Sequence, residues 1–308
     1  TQVSVSPNHN LEIRKVTFTN HGKTEKQLEV TSYFEVVADR YMAELSHPAF
    51  NKLFIESEFL NDGCVFLSRR RSAGEEENPY IMHMVKSGGK PFGRVEHEND
   101  RLRFIGRNNT LQNPAAVVEN RSLSNRTGFS TDPVMSLRVG IDLGPEETAS
   151  ISFITGVCES REEAVKISNE LSISYRIDDL FEKARLQSEM ELKHLNISRQ
   201  QVNAFQDLIS PIYYPCIHYR GPIENIRRNW KNQSFLWRFG VSGDNPMMLL
   251  RVSSIEEAGI VRDVLKVYEY LRINQVKVDL IILSEAKHGY MQELTKLLNE
   301  MTISLKIY

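Results

Sequence analysis

Leu28, Val30, Ser32, Phe34 and Val36 alternate with Glu29, Thr31, Tyr33, Glu35 and Val37. A period of two predicts a half-buried β-strand. Leu11 to Thr19 alternates less strictly, and Asn20-His21-Gly22-Lys23 between the two runs predicts a hairpin. The same criterion predicts strands over 52–59, 64–70, 80–85, 101–105, 134–143 and 149–157. Turn signals separate them at Asn61-Asp62-Gly63, Gly88-Gly89 and Leu143-Gly144-Pro145. The stretch 72–78, with three consecutive Glu, reads as a solvated loop. Short strands at this spacing predict an antiparallel β-sandwich over residues 1–158.

The period then lengthens. Ser160-Arg161-Glu162-Glu163 predicts a capping box, and Ala164, Ile167 and Leu171 form one helical face. A polar helix is expected over 178–195. A second capping box, Ser198 with Gln201, opens a helix whose apolar stripe is Val202, Phe205, Leu208 and Ile209 and which Pro211 is expected to end. Residues 159–232 therefore read as a helical linker. Over 233–308 strand and helix alternate: strands 247–252, 278–283 and 303–308, helices 255–273 and 289–300. A βαβαβ run predicts a small three-stranded parallel sheet. The fold class is α+β.

Composition narrows the function. The chain has 308 residues, 41% hydrophobic and 25% charged, with net charge −2, enough to bury a sizeable core. No basic block matches a phosphate backbone, so nucleic acid is excluded as a partner. No apolar run is long enough to span a membrane, and no signal peptide is visible, so a cytoplasmic protein is expected. The chain opens mid-pattern at Thr1-Gln2-Val3, as a fragment would. Cys64, Cys158 and Cys216 lie far apart, which predicts buried free thiols rather than disulfides or zinc. Sequons at Asn108, Asn120, Asn125, Asn196 and Asn232 read as coincidence in an Asn-rich chain.

Few residues suggest chemistry. Gly240-Val241-Ser242-Gly243-Asp244 resembles a phosphate cradle, but it precedes a strand rather than a helix N-terminus, and Asp244 repels an anion. Two readings stay open: a turn whose Asp-Asn-Pro leads into the strand, or a sugar platform with Trp237 stacking and Arg238 or Asp244 bonding hydroxyls. Arg107, Asn108 and Asn109 follow a predicted strand and suit sugar hydroxyls or a plain turn. Glu56 and Glu58 share one strand face, which fits an ion-paired edge better than the separated carboxylates of a glycosidase. Arg69-Arg70-Arg71 reads as a charged strand end. The eight His show no metal-binding spacing, no nucleotide or nucleophile motif is present, and no cofactor is expected.

Several stretches match a known family: 47-HPAFNKLFIESEF-59, 104-FIGRNNT-110, 132-DPVMSLRVGIDLGPEE-147, 155-TGVCESREEA-164, 233-QSFLWRFGVSGDNPMMLLRV-252 and 262-RDVLKVYEYLRINQVKVDLIILSE-285. In this order they resemble the glycoside hydrolase family 94 region, formerly glycosyltransferase family 36, of cyclic β-1,2-glucan synthases and 1,2-β-oligoglucan phosphorylases. The resemblance implies a β-sandwich, a helical linker and an (α/α)6 barrel whose Asp is general acid for inverting phosphorolysis, without metal or organic cofactor. That Asp falls on none of these residues. The implied role is a non-catalytic part that scaffolds the barrel and lends cleft loops carrying Trp237, Arg238, Asp244, Arg107, Asn108 and Asn109. The implied partners are a β-glucan oligosaccharide and phosphate in the intact enzyme, and a second copy in a homodimer. Arg238-Phe239 and Asn245 depart from the family's usual residues, and the βαβαβ unit resembles an insertion of its larger members. A stand-alone carbohydrate-binding module and a dimer-assembly domain are the alternatives.

Overall fold

The computed structural model describes residues 1–60, 65–71, 78–214, 216–285 and 291–304. It divides into two compact units, Thr1–Gln187 and Ser188–Tyr308. The turn expected at 61–63, Cys64 and nearly all of the stretch 72–78 lie outside the described residues.

The first unit contains β1 (Gln2–Val5), β2 (Leu11–Thr19), β3 (Lys26–Thr31), β4 (Phe34–Glu35), β5 (Ile55–Leu60), β6 (Val65–Arg70), β7 (Tyr80–Ser87), β8 (Lys90–Asp100), β9 (Gly128–Phe129), β10 (Pro133–Leu143) and β11 (Thr148–Cys158). One sheet runs β1-β2-β11-β7-β6-β5-β9. In the other, β10 pairs with β3, β4 and β8. All pairings among these strands are antiparallel.

Alternation along β10 builds the core between the sheets. Met135, Leu137, Val139, Ile141 and Leu143 point inward and meet Phe66, Val85, Ile151 and Phe153 of the facing sheet. The seven-stranded sheet is covered on its other face as well. Leu11, Ile13, Leu67, Met82, Met84 and Ile154 pack beneath Ala164 and Ile167 of the helix Arg161–Glu170, Leu171 at its C-terminal cap, and Ile177 and Leu180. Burial on both faces explains the unbroken apolar run Val65-Phe66-Leu67, where all three are buried. Cys158 is a buried free thiol, pushed up to about 11 by burial and then by Glu163. Cys216 is free and only partly buried.

Several expectations are corrected. The predicted hairpin partners lie in different sheets: β2 pairs with β1 and β11, and β3 with β10. Asn20 holds this crossing. It is buried, and its amide nitrogen donates to the carbonyls of Thr24, Leu143 and Gly144. The run 28–36 breaks at Ser32-Tyr33 into β3 and β4, and Lys52 belongs to a short helix, Pro48–Lys52.

Residues 101–105 form a helix rather than a strand, because Asp100 caps it by accepting from the Arg103 amide at 3.0 Å. The strand in this region is β8, which sequence reading missed. Its C-terminal half, Glu96-His97-Glu98-Asn99, is polar yet largely buried. Glu98 accepts from the Ser124 hydroxyl and amide, and Asn99 donates to Ser57 Oγ at 3.0 Å. A strand covered by polar partners carries no alternation to detect. Asn108, Asn120, Asn125 and Asn196 all have positive φ (65°, 49°, 53° and 51°), a conformation asparagine tolerates, so these asparagines are turn formers.

Ser160 accepts from the Glu163 amide, but the Glu163 carboxylate returns to the Glu159 amide, so this box differs from the expected one. The box at Ser198 and Gln201 forms in both directions. Ser198→Ala is expected to lower the stability of the second unit by about 1 kcal/mol, measured by urea unfolding, and no loss would mean the cap is idle. The helix Arg199–Asp207 ends before Pro211. The chain then re-enters a helical turn, Ile209–Tyr213, whose early position needs no amide from the proline.

The second unit holds β12 (Met247–Val252) and β13 (Asp279–Ser284), paired in parallel. The helix Ala258–Ile273 connects them. Val261 and Leu265 pack with Val252, Leu294 and Leu298. The opposite face of the same helix, Val267, Tyr270 and Leu271, packs on Ile197, Phe205 and Val278. The helix Met291–Ser304 extends through Ile303 and Ser304, where a third strand was expected, and 305–308 lie outside the described residues.

Candidate functional site

The loop after residue 232 is a self-contained turn. One helical turn, Ser234–Trp237, ends as the Gly240 amide donates to the Trp237 carbonyl at 2.9 Å. The Gln233 side chain donates to the Ser242 carbonyl at 3.0 Å and to Asp244 Oδ1 at 2.9 Å. The Trp237 indole donates to the same Ser242 carbonyl at 3.2 Å. Gly243 has φ +77°, and a Cβ there would lie 2.9 Å from Gln233 Cγ, so only glycine fits. Asn245 donates to Asp279 Oδ1 at 3.1 Å, anchoring the exit to β13.

Three of the five amides of the loop are used internally: Gly240 and Val241 donate to the Trp237 and Leu236 carbonyls, and Asp244 to Ser242 Oγ. Trp237 is 65% exposed with its indole tied down, so its ring is held in the open. Arg238 lies against the rings of Phe235 and Phe239, 4.8 and 5.0 Å from their centroids. Lys231 sits 3.4 Å from the Trp230 ring centroid.

Arg107, Asn108 and Asn109 belong to the first unit, so the two candidate loops are on separate bodies. Arg107 and Asn108 are exposed. Asn109 lines a groove of about 610 Å³ together with Arg101, Leu102, Thr110, Leu111 and Asp132. Arg107 and Asn108 do not line it.

Beside this groove runs a charge network that the sequence did not reveal. Arg101 Nε donates to Glu35 at 2.8 Å and its guanidinium lies 3.8 Å from Asp132, while Lys52 Nζ is 2.7 Å from Asp132. The Tyr33 hydroxyl donates to Glu35 at 3.2 Å, and its ring stacks on Phe104 at 4.6 Å. The hydrogen bond from Arg101 holds the Glu35 carboxyl below its usual range. Burial, followed by the Glu35 charge, pushes Tyr33 up to about 12. These residues come from distant parts of the chain, and no local spacing could have joined them.

The Glu56 and Glu58 face is ion-paired. Arg161 grips both oxygens of Glu58, holding its carboxyl below the usual range, and Arg71 lies 3.7 Å from Glu56. Arg69 and Arg70 lie over the rings of Tyr80 and Phe54. Glu35 and Glu58, held ionised, are poor proton donors at neutral pH. Among the described residues no three His, Cys, Asp or Glu converge as metal ligands, and no helix is long and apolar enough to cross a membrane.

Comparison with known proteins gives this architecture a family. The profile of the glycosyl hydrolase 94 supersandwich domain matches residues 1–173. Cyclic beta-(1,2)-glucan synthase NdvB of Rhizobium meliloti (strain 1021) is 30% identical over 308 residues, covering 98% of this chain and 11% of that protein. Solabiose phosphorylase of Paenibacillus borealis is 24% identical over 188 residues, covering 61% of this chain and 23% of that protein. The chain thus spans well under a third of either relative. With a family profile covering more than half of it, the chain belongs to the glycosyl hydrolase 94 family through its supersandwich domain.

Proposed function

We propose that this chain is a non-catalytic part of an enzyme that synthesises or phosphorolyses β-1,2-glucans by inverting glycosyl transfer. It scaffolds the catalytic barrel that the family resemblance implies, and a β-glucan oligosaccharide and phosphate are the substrates of the whole enzyme. Trp237, Arg238 and Asp244 are the proposed sugar contacts of the second unit, and Arg107, Asn108 and Asn109 those of the first. The carrying observation is the run of exposed apolar side chains over 213–239: Tyr214, Ile217, Tyr219, Trp230, Trp237 and Phe239 all stand in solvent, Ile217 at 88% and Trp230 at 80%. Apolar groups concentrated in this way mark a surface made to be covered. The pairing of Glu35 and Glu58 with arginines supports the absence of a proton donor at these two sites.

The expected result is no release of glucose 1-phosphate when the 308-residue chain is incubated with β-1,2-linked glucooligosaccharides and phosphate. Turnover would end the scaffold reading. A second reading, a stand-alone carbohydrate-binding module, is favoured by the immobilised and exposed Trp237 ring. It predicts calorimetric binding of β-1,2 over β-1,4 oligomers, weakened by Trp237→Ala. The same exposed apolar run also suits a homodimer, and sedimentation equilibrium of the isolated chain separates that outcome.

A further inference from the structure

The face of β10 turned away from the core carries Ser136, Arg138, Gly140 and Asp142, and its neighbours complete a floor three strands wide. Register places Gln27 opposite Asp142, Glu29 opposite Gly140 and Thr31 opposite Arg138 on one side. On the other side Phe92 lies opposite Gly140 and Lys90 opposite Asp142. Residues directly opposite across a ladder share a face. Gln27, Glu29 and Thr31 are two apart on β3, so they too share it.

Gly140 is the centre of this floor. A Cβ there would come within 2.6 Å of Phe92 Cζ and within 2.8 Å of two more ring carbons. The missing side chain lets the Phe92 ring fold over the middle of the sheet, where it stays partly exposed. Ala116, Val117 and Asn120 raise one wall, and the resulting groove has a volume of about 420 Å³. Arg138 is buried beneath it and holds the wall in place through the carbonyls of Ala116 and Arg121.

The chemistry of the groove selects the ligand. An aromatic face beside amide, hydroxyl and carboxylate groups suits the apolar face and the hydroxyl edge of a sugar ring. An anion finds little here. The Arg138 guanidinium is committed to Thr31 and two carbonyls, with Glu29 and Glu96 3.8 and 3.6 Å away. Gln27 donates to Asp142 at 3.0 Å, so its amide orientation is set.

We infer that the outer face of the four-stranded sheet is a binding groove for a neutral saccharide, with Phe92 as stacking platform and Gln27, Glu29 and Asn120 as hydroxyl partners. It is separate from the Trp237 loop, and it stands whether or not the whole enzyme acts on β-1,2-glucans.

The test is a residue-resolved titration of the 308-residue chain, following amide shifts in 15N–1H spectra, with β-1,2-linked glucopentaose and, separately, cellopentaose. The expected result is saturable shifts over 27–31, 90–92 and 138–142 with at least one of the two. Phe92→Ala is expected to weaken binding there by about tenfold, the loss of one stacked ring. Glu29→Ala, an exposed change that leaves the core intact, is expected to weaken it about threefold. Shifts confined to 230–244, no shifts with either pentasaccharide, or equal affinity in wild type and both groove variants would each overturn the assignment. Absent turnover bears on the enzymatic reading alone.

Discussion

Replacing Arg138 with Met is expected to cost the first unit about 3 kcal/mol and to lower its melting temperature by roughly 10 °C. Arg138 is 4% exposed. Its guanidinium donates to Thr31 Oγ1 at 3.0 Å, to the Arg121 carbonyl at 2.8 Å and to the Ala116 carbonyl at 2.6 Å. Glu96 and Glu29 lie just beyond hydrogen-bond distance. Met fills the space of the stem but strands two carbonyls against an apolar tip. Unsatisfied groups cost more than the bonds contributed in the first place. Arg138→Lys is not expected to rescue, because one ammonium cannot span the fork-like set of acceptors. Calorimetry of both variants, with limited proteolysis of the 101–125 segment, checks this. A fall below about 2 °C, within the range of an ordinary surface change, would show that the segment is held by something else.

Acid is expected to destabilise the first unit from about pH 6.5 downward, before its carboxylates are protonated. His83 is 2% exposed and bridges the sheets: Nε2 contacts Ser32 Oγ at 2.7 Å and Nδ1 contacts Thr155 Oγ1 at 2.8 Å. Burial pushes it down to about 3. His97 is stacked 4.1 Å from Phe59, neither of its ring nitrogens has a partner among the described residues, and burial pushes it down to about 4. The unfolded histidines take up protons below about 6.5, whereas the folded ones stay neutral to about 4 and 3. Between those limits the unfolded state binds more protons, so stability falls as pH falls. It is complete above the unfolded value. Each histidine contributes a slope of up to ~1.4 kcal/mol per pH unit. Urea unfolding at pH 7, 6 and 5 measures the slope. The His97 ring makes no hydrogen bond among the described residues, so His97→Leu is expected to flatten the slope by about half. An unchanged slope in that variant would remove His97 from the account.

The charge network at Tyr33, Glu35, Lys52, Arg101 and Asp132 shows where sequence reading runs out. Its members are spread over a hundred residues and meet because β10 pairs with both β4 and β8, bringing Glu35 opposite Val134 and Asp100 opposite Pro133. The groove on the outer sheet face follows the same logic. Gln27, Phe92 and Arg138 become neighbours through ladder register, not through spacing along the chain.

By itself the sequence determined the elements whose two faces differ. The alternation of β10, the stripe Ala164-Ile167-Leu171 and the Ser198 box each follow from the local period or local hydrogen bonds, so the sandwich, the helices and the α+β class were legible. The motif blocks made the family legible too, and the profile over 1–173 agrees. Only the tertiary structure decided which sheet each strand joins, because hairpin proximity and crossing between layers share the same turn residues at Asn20–Gly22. It alone revealed β8, whose polar side chains are buried by partners from far along the chain. The helix at 101–105, by contrast, rests on the local Asp100 cap, which the strand reading overlooked. Pairing energies come from neighbours across the sheet, and those neighbours exist only once the fold has formed.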